Sequence, residues 1–144
     1  GSTQIYWDRK NYTTITEQLL ATTSSRTVYI GNLGFDVTVE RLCDHFSSVG
    51  AIKKTILGIN KNTKTPCGFA FIEYHDVASA CDAVNLLSGS KFDERLIRGE
   101  MDPGFRPGRQ YGRGSSGGQV RDDRRFSRRV EDRAGAAAGA AAGA

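Results

Sequence analysis

The segment Cys67-Gly68-Phe69-Ala70-Phe71-Ile72-Glu73-Tyr74 constrains the fold more than any other stretch of the chain. It is a short run of strand length, rich in aromatic and apolar residues, and side chains two apart on a strand share a face. With Ala70, Ile72 and Tyr74 turned into a core, Phe69 and Phe71 stand on the opposite face. A soluble protein does not ordinarily display two phenyl rings side by side. The spacing therefore predicts an exposed platform for flat ligands on an open sheet, and nucleobases are the common flat ligands that stack on such rings.

The flanking segments supply the rest of that sheet. Residues 27–31 form a second strand pattern, stopped by Asn32-Leu33-Gly34. Val39, Leu42, Cys43, Phe46 and Val49 then recur at helical spacing, and Gly50 supplies the stop. Residues 51–59 are strand-like, 60–66 form a polar turn, and Asp76 can cap a second helix with Val77, Ala80, Cys81, Val84 and Leu87 on its apolar face. Residues 95–100 make a last short strand. The order is β-α-β-β-α-β, which predicts an α+β, ferredoxin-like domain over residues 27–101: a four-stranded antiparallel sheet with two helices on one face and the other face open. Ahead of it, Thr14-x-x-Glu17 is a capping-box pattern, with Ile15, Leu19 and Leu20 as the apolar side of a short helix in an extension of residues 1–26.

After Met101 the composition changes. Residues 102–133 are rich in arginine and glycine and cannot build a core of their own, and residues 134–144 contain only alanine and glycine, a low-complexity end expected to be disordered. The net charge of +4 is modest, but its distribution is not even. Ten arginines and no lysine lie between Arg98 and Arg133, whereas lysines cluster between Lys53 and Lys64. Arginine is favoured where a forked donor must meet phosphate or a flat cation must stack on a base. Three cysteines, Cys43, Cys67 and Cys81, lack metal or disulfide spacing; Cys43 and Cys81 fall at apolar helical positions and are expected to be small core residues in a reducing, intracellular setting. No run approaches membrane-spanning length.

Val28-Tyr29-Ile30-Gly31-Asn32-Leu33 and Cys67 to Tyr74 resemble the two strand motifs of the RNA recognition motif. That family usually carries Lys or Arg where Cys67 stands, so a contact to an RNA backbone is missing. Outside the domain, Tyr6-Trp7-Asp8-Arg9, Arg98-Gly-Glu-Met-Asp102, Gly104-Phe105, Gly108-Arg-Gln-Tyr-Gly-Arg-Gly114 and Gly117-Gly-Gln-Val-Arg-Asp122 resemble the small subunits of nuclear cap-binding complexes. Glu100 departs from the Asp usual there, Met101 from a Trp, and Arg124 from a Tyr.

The resemblance implies a binding function and no enzymatic one: recognition of the 7-methylguanosine cap of RNA polymerase II transcripts, within a heterodimer whose large helical-repeat subunit fixes the mobile segments. It also implies pre-mRNA processing and export, dealings with nuclear import and export factors, and residence in the nucleus with shuttling to the cytoplasm. N7 methylation makes the purine cationic, so two aromatic rings that sandwich it gain stacking and cation–π attraction together. The matching residues are Tyr29 on the sheet and Tyr6 from the N-terminal extension folded over it, with Phe69 and Phe71 as the pocket floor. Asp102, with Glu100, Arg98 and Met101, is placed at the guanine edge, where a carboxylate can accept from N1–H and N2–H. Arg109, Arg113 and Arg121, with the backbone at Gln119 and Val120, match the triphosphate clamp, in a tail that orders when the cap binds.

A general single-stranded RNA-binding module, such as a splicing factor, would use Tyr29, Phe69 and Phe71 to stack successive bases without regard to methylation. A protein-docking module is the other alternative, and it is compatible with the heterodimer. No nucleophile–base pair, metal-ligand spacing, cofactor motif or phosphate-binding P-loop points to an enzyme; His45 and His75 have ordinary packing or surface roles.

Overall fold

The structure, a computed structural model, describes residue 9 and residues 14–123; Tyr6, Arg124 and the Ala/Gly stretch at 134–144 lie outside the described residues. The chain enters through α1 (Ile15–Thr23), capped by Thr14 and Glu17 in the reciprocal arrangement their spacing predicts. There follow β1 (Thr27–Gly31), α2 (Val39–Phe46) with a 3₁₀ turn at Ser47–Val49, β2 (Ile52–Ile59), β3 (Pro66–Tyr74), and α3 (Val77–Asp82), which continues as a π-helical stretch through Leu87. Two short strands, β4 (Lys91–Phe92) and β5 (Arg95–Leu96), form a hairpin before β6 (Arg98–Asp102).

The main sheet has the order β2-β3-β1-β6 with every pairing antiparallel. Alternation on β1 sends Val28 and Ile30 into the core and Tyr29 to the other face, between Phe71 on β3 and Glu100 on β6. Ala70, Ile72 and Tyr74 join Val28 and Ile30 beneath α2 and α3, whose Leu42, Phe46, Ala80 and Ala83 fill the same core. Side-chain caps start both helices: Thr38 accepts from the Arg41 amide at 3.3 Å and Asp76 from the Ser79 amide at 2.7 Å. The buried Tyr74 hydroxyl donates to the Phe46 carbonyl at 2.7 Å, satisfying an acceptor at the end of α2.

Four expectations are corrected. The last strand is not one run over residues 95–100. Asp93 and Glu94 both adopt positive φ, 50° and 66°, as a two-residue hairpin turn requires, and this detaches β5 from β6. Cys81 is exposed and Cys43 only half-buried, because the buried stripes run through Leu42/Phe46 and Ala80/Ala83 and each cysteine sits one residue round from its stripe. On α1 it is Gln18 that is buried, while Ile15 is exposed. Finally, Phe69 and Phe71 do not stand exposed: they are 5% and 3% accessible, because residues beyond β6 lie across them.

Leu42 sits at the centre of the helix–sheet core. Leu42→Ala is expected to cost about 3 kcal/mol by the lost burial and the cavity left behind, and Tyr74→Phe about 1 kcal/mol by one unmade buried hydrogen bond. Urea denaturation of the two variants checks both the size and the order.

Candidate nucleic-acid interface

Three rings make the floor of the sheet's second face. Tyr29 lies nearly parallel to Phe69, with centroids 6.0 Å apart and planes 25° apart, and edge-on to Phe71 at 5.7 Å. Phe69 settles over the backbone of β2 at Gly58, where a Cβ would come within 2.6 Å of its ring. Of the three, Tyr29 alone remains partly accessible.

The walls come from the segment after β6. Phe105 packs edge-on to Phe71 at 5.6 Å, with the Lys54 ammonium 5.5 Å from its centroid. The chain then runs to the free edge of β2 and pairs with it: Ile59 N–H donates to the Gln110 carbonyl at 2.8 Å, and Gly112 N–H to the Ile59 carbonyl at 3.0 Å. Beyond a turn, Lys61 N–H donates to the Gly117 carbonyl at 2.8 Å and the Asn62 side chain to the Ser116 carbonyl at 3.1 Å. Gln119 closes the arch. Its side-chain amide donates to the Cys67 carbonyl at 2.8 Å, and its oxygen accepts from the Tyr29 hydroxyl at 3.4 Å.

Floor and arch border an open-mouthed cavity of about 660 Å³. That volume lies within the usual range for small-ligand sites, roughly 300–1,000 Å³. Tyr29, Phe69 and Phe71 form its base; Arg98, Glu100, Met101 and Asp102 line the β6 side; Arg109, Arg113, Gln119 and Val120 line the tail side. The sequence had marked all of these. Arg121 does not line the cavity, although its charge reaches Tyr29. Gln18 and Thr22 of α1, Pro103 and Tyr111 also line it and were not anticipated. Tyr111 carried a signal in being an aromatic within a glycine–arginine stretch; Gln18 carried none, since nothing local shows that a polar helix residue turns inward.

The charged groups are already organised. On β6, alternation puts Arg98, Glu100 and Asp102 on the ring face. Arg98 pairs with Glu100 at 3.2 Å, both 58% exposed. Asp102 is buried and holds Arg109 through two bonds, 2.6 Å to Oδ2 and 2.9 Å to Oδ1, while the Gly104 amide donates to Oδ2 at 2.9 Å. A carboxylate has about four acceptor sites, so Asp102 keeps one, on Oδ1, too few to take both guanine edge donors alone. Burial raises the Tyr29 phenol above its ordinary pKa, partly offset by Arg98, so the ring is neutral at pH 7. Burial pushes the Cys67 thiol up to about 11, with Asp122 adding to it. Cys67 lies under the tail, where a solvated Lys or Arg would have no room; this accounts for the departure there.

Among the described residues, no group of three or more His, Cys, Asp and Glu could hold a metal ion, and no helix is long and apolar enough to cross a membrane.

Comparison with known proteins follows the same lines. A profile of the RNA recognition motif matches residues 28–98. Over 112 residues the chain is 51% identical to nuclear cap-binding protein subunit 2 of Dictyostelium discoideum, covering 78% of this chain and 48% of that protein. The human protein of the same name is 50% identical over 93 residues, covering 65% of this chain and 60% of its own. The chain thus spans about half the length of the curated relatives it matches. Among solved structures, the Rna15 RRM with bound RNA (GU) superposes with a TM-score of 0.50 at 32% identity, over 54% of this chain and 83% of that one.

Gly117 has φ +96°, and a Cβ there would come within 2.6 Å of Asn60 Oδ1. Gly117→Val is therefore expected to lift the arch from the turn after β2, at a cost of about 1–3 kcal/mol in local strain. Limited trypsin digestion checks this: cleavage after Arg113 and Arg121 should quicken several-fold while the Leu42 core melts as before.

Proposed function

The chain belongs to the RNA recognition motif family, and from that premise we propose that it binds the 7-methylguanosine cap of RNA as the small subunit of a nuclear cap-binding heterodimer. The observation that carries this reading is the arch itself. An RNA recognition motif that binds a running strand needs its sheet face open to successive bases. Here Phe69 and Phe71 are covered, one partly accessible ring remains, and the arch turns that face into an open-mouthed cavity of single-nucleotide scale.

Within that cavity Tyr29 stacks on one side of the methylated base and Tyr6, from the N-terminal extension, on the other. The cationic purine gains cation–π attraction from both, on the order of 1–2 kcal/mol each when water is excluded. Asp102 Oδ1 takes one edge donor and Glu100, steadied by Arg98, takes the other. Met101 contributes to the wall on this side. Arg113 and Arg121, with the backbone at Gln119 and Val120, meet the triphosphate, and Phe69 and Phe71 support Tyr29 from below. The acids of β6 suit the donors of the base, and Arg113 on the tail side suits the negative charge of the linker. The names of the relatives support nuclear residence and at least one further subunit; a larger size for that subunit, and roles in splicing, transport and cytoplasmic shuttling, belong to the same reading.

A fluorescence titration with 7-methylguanosine triphosphate against unmethylated GTP, run with and without the large subunit, tests the proposal. The methylated ligand is expected to bind on the order of tenfold or more tightly. Tyr29→Ala should abolish quenching and Tyr6→Ala should reduce it strongly. Comparable affinities for the two nucleotides would leave general single-strand binding as the better account.

A further inference from the structure

The tail arginines look alike in sequence but not in space. Arg113 is exposed at the cavity wall. Arg109 is folded inward: its side chain is 9% accessible and that of Asp102 8%. One guanidinium nitrogen donates to Asp102 Oδ2 at 2.6 Å and to the Gly104 carbonyl at 2.8 Å, and the other to Asp102 Oδ1 at 2.9 Å. The guanidinium carbon lies over the Phe71 ring, 4.7 Å from its centroid. At least three hydrogen bonds from the guanidinium are therefore directed at fixed protein oxygens, and the group rests over a ring that itself packs against Tyr29.

We propose that Arg109 is a positioning residue that fixes the base-reading carboxylate of Asp102, and that it is not a ligand of the triphosphate; this rests on the cap-binding reading above. The fork of Arg109 and the Gly104 amide together hold Asp102 at three of its acceptor sites, so the carboxylate cannot rotate and its remaining Oδ1 site has one direction. Selectivity for the guanine edge then depends on a residue that touches neither base nor phosphate. Burial makes this dependence strong, because a buried carboxylate stripped of its cation must find another partner or take a proton. Either change removes the aimed acceptor. An ammonium in place of the guanidinium could hold one oxygen but not both.

The test separates this role from phosphate binding by counting phosphates. The full chain, in the complex that binds the methylated cap, is titrated with 7-methylguanosine mono-, di- and triphosphate and with 7-methylinosine triphosphate, which lacks the N2 amine. Arg109→Gln is expected to weaken all three guanosine ligands by a similar factor, on the order of tenfold, leaving the triphosphate-to-monophosphate ratio unchanged. The preference for guanine over inosine should fall towards one, and Arg109→Lys should recover part of it. Arg113→Gln should do the reverse, compressing the phosphate ratio while keeping the base preference. A loss in Arg109→Gln that grows with phosphate number, or a guanine preference that stays at the wild-type value, overturns the proposal. Where thermal melting shows that the Gln variant does not fold, the Lys variant is judged on the same two ratios. The wild-type preference for methylated over unmethylated guanosine is measured in the same series, so failure of the cap reading is seen separately and takes this inference with it.

Discussion

β3 is buried on both of its faces, and most of the molecule's design follows from covering the second one. The first face needs only the two amphipathic helices that the β-α-β-β-α-β order provides. The second carries Phe69 and Phe71, and exposing such rings would leave a large apolar patch in water. Residues beyond β6 cover them, but those residues are too polar and too rich in glycine to pack as a core element. They hold their place by backbone bonding instead, borrowing the free edge of β2 at Ile59 and the turn that follows it. Pairing with β2 also relieves an exposed sheet edge. One segment thereby completes the sheet, buries the rings and walls the cavity.

The helix–sheet scaffold was legible because its signals are local. Period-two alternation at Val28/Ile30 and Ala70/Ile72/Tyr74, helical spacing at Leu42/Phe46, and the caps Thr14 and Asp76 each act within a few residues of themselves. The misreadings have the same explanation from the other side. Asp93-Glu94 makes a left-handed turn without the Asn-Gly or Asp-Gly that usually marks one, so the hairpin before β6 was invisible. Cys43 and Cys81 are apolar enough to pass for core residues, but their placement depends on how wide a stripe each helix buries. The tail was the largest gap. Its composition argues that it has no core of its own, and says nothing about whether it can lie on another element's. Which arginine would turn inward was not legible either: Arg109 and Asp102 meet because of a fold in the chain between them.

The site residues were marked through family resemblance and the structure brings most of them to one cavity, yet it assigns their free valences differently from a reading by list. Gln119 was expected to act through its backbone; its side chain is what joins Tyr29 to the Cys67 carbonyl. Asp102 was expected to face the ligand with a whole carboxylate, and three of its acceptor sites are committed. Hydrogen-bond capacity is finite, so each internal bond that rigidifies the pocket also narrows what a residue can offer a ligand. Burial raises both the Tyr29 phenol and the Cys67 thiol, so neither adds a negative charge to this face near neutral pH.

That economy bears on how base and phosphate recognition are joined. Asp102 lies at the start of the arch and Gln119 near its end, and the chain between them carries Arg109 and Arg113. Asp102 is fixed by the pairing of β6 with β1, and the later part of the arch by bonds at Ile59, Lys61 and the Cys67 carbonyl; the Arg109–Asp102 ion pair ties the two together. A ligand with only a base or only phosphates would stabilise one end of the arch and leave the other to its own bonds; a ligand with both stabilises the whole. Under the proposed function, discrimination for the complete nucleotide would arise from the continuity of the chain, as well as from the sum of contacts along it.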